Sequence, residues 1–328
     1  MPERPFSRPN SPSVRIVPRV VRLDRMSLPV ENSVIESTIE VADRQRRWLR
    51  RGCWIGCALA LAAIVFVLGL PLFARWQLRR HGWDLDPFDS HKPAWIPSWA
   101  DPWFDPVVVA QLQRRTLRSS DLVLLRQFPQ LGLIGLESTD VSDSELETIS
   151  QLPGLCYLAF DAVKLESTAL RHLGTARKLE SLNFCNMVLD DADLEHLTTC
   201  HHLTSLKLTG TTDDNVRYLA RIPRLKGIHF QDCRLTNQGA KQLADRCPEL
   251  TQLNVQGGSF SDAAIDEFAR LSKLDHLFLS DIAITDDGLL KLKSCTKLTW
   301  VYFTRTKVTP AGVSEFKKYR PSVSIGLE

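Results

Sequence analysis

Two clusters of residues in this 328-residue chain have types and spacing suited to chemistry. Cys200, His201 and His202 stand in a row, and all are metal-ligating types. Adjacent residues point apart, and no further ligand motif accompanies them, so zinc is not expected. Asp190, Asp191, Asp193 and Glu195 form an acidic run. It falls on a turn and the first turn of a helix, where carboxylates favour the helix dipole. A solvated cap accounts for it better than a calcium site. Beyond these, Cys156, Cys185, Cys200, Cys233, Cys247 and Cys295 contain no C-x-x-C and read as small buried hydrophobes. The chain has no G-x-S-x-G, P-loop, H-E-x-x-H or G-x-G-x-x-G. No catalytic, cofactor-binding or metal-binding constellation is expected, and the chain reads as a non-enzyme.

Composition narrows the class. An apolar content of 44% with 24% charged residues excludes a wholly disordered chain and a polytopic membrane protein. Eight cysteines are too sparse for a disulfide scaffold. The net charge of +3, from 41 basic and 38 acidic residues, gives no argument for a nucleic-acid partner. That charge is unevenly spread. Residues 1–106 carry 15 Lys/Arg and 11 Asp/Glu, whereas 107–328 carry 26 and 27. Seven of the eight tryptophans lie between Trp48 and Trp103. Two physically different regions share the chain.

Gly52 to Ala74 is a run of 23 residues without a charge. As a helix it would extend about 34 Å, enough for a bilayer core of about 30 Å. Arg44, Arg46, Arg47, Arg50 and Arg51 precede it, and Arg75, Arg79 and Arg80 follow. Trp48, Trp54 and Trp76 stand where interfacial aromatics belong. Fifty-one residues before the run make a cleaved signal peptide a poor fit. The expected organisation has four parts: a basic, disordered tail over 1–51, a single transmembrane helix over 52–74, a Pro/Trp-rich juxtamembrane linker over 75–106, and a folded domain over 107–328. The arginine bias places the N-terminus in the cytoplasm and the folded domain outside. The linker aromatics, among them Trp83, Trp95 and Trp99, either lie on the membrane surface or cover the first edge of the next domain.

From Val107 the chain repeats itself. Leucine or an equivalent recurs at Val107, Leu131, Leu155, Leu179, Leu203, Leu225, Leu250, Leu274 and Leu298, with Val323 opening a fragment. The step is 24 residues, except for 22 after Leu203 and 25 after Leu225 and Leu298. Each unit opens L-x-x-L-x-L, whose alternation is strand-like. An apolar pair at i, i+3, such as Leu194 and Leu197, then marks one face of a helix. Between them sit Ser142-Asp143, Thr212-Asp213, Ser261-Asp262 and Thr285-Asp286, suited to accept the first helical N–H groups. One such unit cannot bury its apolar face alone, so neighbours must stack.

This pattern resembles the leucine-rich repeat family over residues 107–328, in its cysteine-containing, ribonuclease-inhibitor-like form. Thr139, Thr211, Cys233 and Thr306 at the ninth position of their units carry that subtype. It is similar to bacterial membrane-anchored proteins of this family. Val163, Met187, Gly258 and Ile282 break the ninth-position pattern. The unit at Leu203 lacks two residues near Thr211, where a tightened turn is expected. The resemblance implies an α/β fold: a curved solenoid with parallel strands on the concave face and helices outside. Val107–Leu125 would be the N-terminal cap and Val323–Leu327 a closing strand. The third, fifth and seventh positions of each unit would face the concave side. There His276, Phe278, Trp300 and Tyr302 fall side by side, with His229 nearby. Clustered aromatics dominate interface energetics. The expected function is therefore a membrane-anchored, non-catalytic protein–protein interaction module that takes a protein or peptide on this patch. The alternative is a passive envelope scaffold or spacer without a specific ligand, in which the patch only packs against the C-terminal cap.

Overall fold

The computed structural model describes residues 70, 72–87, 107–166 and 168–328. The chain divides into two compact units, Met1–Ile64 and Val65–Glu328, and all the described residues belong to the second. The expected tail over 1–51 lies outside the described residues, as do residues 52–69 of the expected span and 88–106 of the expected linker. Among the described residues no helix is long and apolar enough to cross a membrane.

The strands are β1 (Trp83–Pro87), β2 (Val107–Gln113), β3 (Leu133–Glu137), β4 (Asp140–Val141), β5 (Tyr157–Asp161), β6 (Lys164–Leu165), β7 (Ser181–Cys185), β8 (Ser205–Thr209), β9 (Gly227–Thr236), β10 (Gln252–Ser259), β11 (His276–Ser280), β12 (Trp300–Thr304) and β13 (Ser324–Leu327). Eleven of them form one open sheet, in chain order, and β4 pairs separately with β6. Every pairing is parallel except β1 with β2. An open, extended, mostly parallel sheet with one strand per unit and helical segments behind it matches a leucine-rich repeat solenoid.

The fourth and sixth positions of each unit build the core. Ile134 and Leu136, Leu158 and Phe160, Leu182 and Phe184, and Leu277 and Leu279 are all buried. Parallel pairing sets each opposite its counterpart one unit on: Ile134 faces Leu158, Leu158 faces Leu182, and Leu182 faces Leu206. Phe160 and Phe184 stack with ring centroids 5.2 Å apart. The short unit keeps this phase, because Leu206 still faces Ile228. Its two missing residues are taken from the turn, where a short 3-10 segment (Asp213–Asn215) opens the helix and Thr211 is buried.

The eighth position of each full unit is left-handed. The eighth position is Gly210 or Gly257 in two units, but Arg114, Ser138, Ala162, Asn186, Asp232, Asp281 and Arg305 also have φ between 46° and 59°. That conformation costs an L-residue about 1–2 kcal/mol. Here it aims the N–H at the next unit: Ser138 donates to the Asp161 carbonyl at 2.8 Å and Ala162 to the Cys185 carbonyl at 3.0 Å. Hydrogen bonding between units overrides the local preference.

The Ser/Thr–Asp pairs prove to have two jobs. Ser142 and Ser261 cap their helices, accepting from the Glu145 and Ala263 N–H groups. Thr285 makes no side-chain cap bond. Its hydroxyl donates instead to Asp262 of the preceding unit at 2.5 Å, and its N–H to the other oxygen of that carboxylate at 2.9 Å. Thr236 holds Asp213 in the same way at 2.9 and 2.6 Å, and Thr309 holds Asp286 at 2.7 Å twice. Donating does not stop a hydroxyl from accepting: Thr236 and Thr309 both clasp and cap, accepting from the Gln238 and Gly312 N–H groups. Thr212 opens its helix in a capping box with Asn215, whose side-chain oxygen accepts from the Thr212 N–H at 2.8 Å and hydroxyl at 2.9 Å. Three residues after each clasping threonine stands a glycine, Gly239, Gly288 or Gly312, and a Cβ there would overlap the clasped carboxylate.

The C-terminal end closes with the expected strand, whereas the N-terminal end differs from the expected cap. The N-terminal cap begins well before Val107. Residues 72–80 form a helix, and β1 runs antiparallel to β2 along the first edge. Ala74, Leu78, Trp83 and Leu85 are buried in the common core. Asp121, fully buried, accepts from the Trp83 indole at 3.0 Å and meets His81 Nδ1 at 2.6 Å. The start of the expected linker is therefore folded, because its aromatic and apolar residues cover the edge strand. At the other end β13 pairs with β12, and Arg320 donates to the carbonyls of Thr296 (3.3 Å) and Leu298 (3.1 Å).

The clasp predicts an inverted glycine effect. Alanine is favoured over glycine in a helix by about 1 kcal/mol. Gly288→Ala should nevertheless destabilise the fold by about 1–3 kcal/mol, because hydrogen bonds to a charged acceptor are lost. Urea denaturation of wild type and variant measures this, and a stabilised variant would refute the clasp.

Candidate functional site

The third and fifth positions of neighbouring strands stand in two rows on the open sheet face. Parallel register sets Gln252 beside His276 and His276 beside Trp300. It sets His229 beside Asn254, Asn254 beside Phe278, and Phe278 beside Tyr302. All five residues picked from the sequence, His229, His276, Phe278, Trp300 and Tyr302, are half-buried on this face.

Four of the five also share a hollow of about 350 Å³. Trp300, Phe278 and His276 form its aromatic end, and His229, Asn254, Gln252 and Ser205 its polar remainder. Gly227 is the glycine of the third-position row between Ser205 and Gln252, and its missing side chain leaves room there. This was the signal in the sequence that reading for aromatics alone passes over. Trp300 meets Phe278 edge-on, with centroids 4.5 Å apart at 87°, and His276 at 5.8 Å and 81°. The edges of these rings thus brace one another, a favourable geometry for aromatic pairs.

Tyr302 does not line the hollow. Its ring lies over Gly326, where a Cβ would overlap it, and its hydroxyl donates to Glu328 at 2.6 Å. That carboxylate raises the tyrosine pKa. For Tyr302 the structure therefore shows the cap-packing role.

The hollow carries little charge. Burial, helped by nearby Lys207, pushes the His229 pKa down from 6.5 to about 4. His229 is thus a neutral imidazole at physiological pH. His276 Nδ1 lies 3.1 Å from an Asp275 carboxylate oxygen without hydrogen-bond geometry. Neutral amides, an imidazole and aromatic rings suit hydrogen bonds and stacking with an uncharged portion of a ligand.

A larger hollow of about 490 Å³ opens on the helical side, lined by Glu147, Ser150, His172, Arg177 and Lys178 among others. It occurs where a 3-10 turn (Ala169–Thr175) replaces an α-helix. Its charges are of both signs, it has no Phe, Tyr or Trp, and His172 is engaged by Asp143 at 3.0 Å. It offers no convergent set of groups.

The two clusters with metal-ligating types are structural. Cys200 is buried, its thiol pushed up to about 12, while His201 and His202 are exposed. Cys233, Cys247 and Cys295 are likewise pushed up to about 11 by burial, which makes them poor nucleophiles. Asp190 caps its helix in a capping box with Asp193, Asp191 pairs with Arg217 at 2.7 Å, and Glu195 holds Arg221 at 2.7 Å. Among the described residues no group of three or more His, Cys, Asp or Glu could hold a metal ion.

The fold and site define a class: an open repeat stack with an aromatic-walled hollow on its sheet face. No family model matches the chain, and no curated protein is similar to it. Among solved structures it is similar to internalin C2 from Listeria monocytogenes, at 15% identity, covering 70% of this chain and 82% of that one, with a TM-score of 0.37. The fold assignment rests on the register and burial described above.

The depressed His229 pKa has a consequence for stability. The unfolded chain takes up a proton on His229 near pH 6.5, whereas the folded chain resists until about pH 4. Stability from this group is thus present above pH 6.5 and lost as pH falls through that window. His229→Gln should flatten the decline in urea midpoint between pH 7 and pH 4. An unchanged pH profile would show that His229 protonates freely in the folded protein.

Proposed function

We propose that this protein is a membrane-anchored, non-catalytic interaction module. The face expected to be concave grips a protein or peptide partner at its C-terminal end. One observation carries the reading. Trp300, Phe278 and His276 are only half-buried, yet they are braced along one end of a hollow whose other walls are neutral and polar. Tyr302, equally half-buried, is instead committed to Gly326 and Glu328 of the closing strand. Trp300 and Phe278 fill the role of the anchor, and His229, Asn254 and Gln252 supply hydrogen bonds to an extended or looped segment.

Several finer features belong to the same reading. The charge-free run over 52–74 supports a single span, and the arginine excess before it supports a cytoplasmic N-terminus with the repeats outside the cytoplasm. Buried Thr139 and Cys233 at the ninth position support the cysteine-containing subtype of leucine-rich repeat.

Trp300→Ala and Phe278→Ala should each weaken partner binding by about 2 kcal/mol or more, roughly 30-fold, if they are the central anchors. Affinity capture with the full-length chain from its native membrane, wild type against each variant, provides the test. A partner retained by wild type and lost by variants of unchanged urea stability supports the proposal. The same retained set for all three chains would favour the passive spacer. Variants that unfold would favour local packing as the role of the patch.

A further inference from the structure

We propose that the helix over residues 72–80 is a lipid-facing cap that seats the repeat stack directly on the bilayer surface. This rests on the reading of the preceding apolar run as a membrane anchor.

The helix has two unlike faces. Ala74 and Leu78 are fully buried in the core shared with β1 and β2. Phe73 and Trp76 are 54% and 57% exposed, and Leu70, one turn earlier, is 38% exposed. Spacing of three residues sets Leu70, Phe73 and Trp76 along one stripe. The Phe73 and Trp76 rings lie 6.2 Å apart, and the Arg80 guanidinium stands 5.4 Å over the Trp76 ring. Aromatic rings backed by arginine are the residue types that settle at a membrane–water interface. Of the other large exposed apolar residues, Val188, Tyr319 and Leu327 stand on distant units, and Val123 lies on the helix over Ser119–Leu125 of the first.

The sequence leading into the helix identifies what covers this stripe. The charge-free run that begins at Gly52 enters the helix at Leu70. Ala74, the last residue of that run, is inside the protein and so is not in lipid. Ending the span at Phe73 leaves 22 charge-free residues, which as a helix would extend about 33 Å, enough for a core of about 30 Å. The anchor then ends where the cap begins. Asp121 ties that cap to the first repeat through His81 and Trp83, so the link is folded. Charge agrees with a lipid neighbour. Arg75, Arg79 and Arg80 lie on the helix itself, and residues 70–80 contain no acidic residue. An excess of arginine beside a span is drawn to an anionic leaflet.

The full chain is reconstituted in vesicles of phosphatidylcholine and phosphatidylglycerol, with benzoylphenylalanine at position 73, 76 or, as control, 188. Alkaline carbonate extraction reports the anchor separately. Lipid adducts at 73 and 76 at least tenfold above those at 188, in an extraction-resistant chain, are expected. An extraction-resistant chain without that excess overturns the seating and leaves the anchor standing. A chain released by carbonate overturns both.

Discussion

The carboxylate of Asp262 takes two hydrogen bonds from Thr285, a residue of the next unit, and the stack is held by contacts of this kind. No unit of about 24 residues can bury its own leucines. Each must offer a neighbour a matching surface in phase, on the sheet, in the turn and along the helices. The sheet does this by register, the turn by the Asp–Thr clasp, and the helical side by ion pairs. On that side these pairs run one way: Asp191 to Arg217, Asp245 to Arg270, and Asp266 to Lys291, each with the acid in the earlier unit. Exposed pairs contribute little individually. Their shared direction still favours one stacking order over a slipped one.

The sequence made the repeating part of this legible. The period of 24, the strand at each unit's start and the core fourth and sixth positions all follow from leucine spacing, since each signal is local and recurs. The Asp–Thr clasp was not legible, because its partners lie 23 residues apart and the aspartate also suits a helix start. The N-terminal cap was hidden for a different reason. Trp83 and His81 lie outside the period, in a segment whose prolines read as a connector, and their partner Asp121 is a buried carboxylate that no pattern marks.

The candidate site was half legible. Reading down the third and fifth positions brought His276, Phe278 and Trp300 together before any coordinates, because parallel register converts sequence period into spatial rows. Tyr302 belongs to the same rows but to a different job, and only Gly326 and Glu328 in the closing strand reveal it. The hollow itself needed Gly227, a residue whose contribution is an absent side chain. What results is a hollow with an aromatic end and an uncharged remainder, built on strands and not on loops. Strands hold such groups in fixed relation, so binding there demands little reordering of the protein.

The central claim is that polar contacts between units fix the stack alongside the leucine core. A double-mutant cycle of Asp262→Ala and Thr285→Val, read by urea denaturation, tests it most directly. A coupling energy of about 1–3 kcal/mol is predicted, within the range for groups in one hydrogen-bond network. Losses that add to within about 0.5 kcal/mol, as for independent sites, would contradict the account.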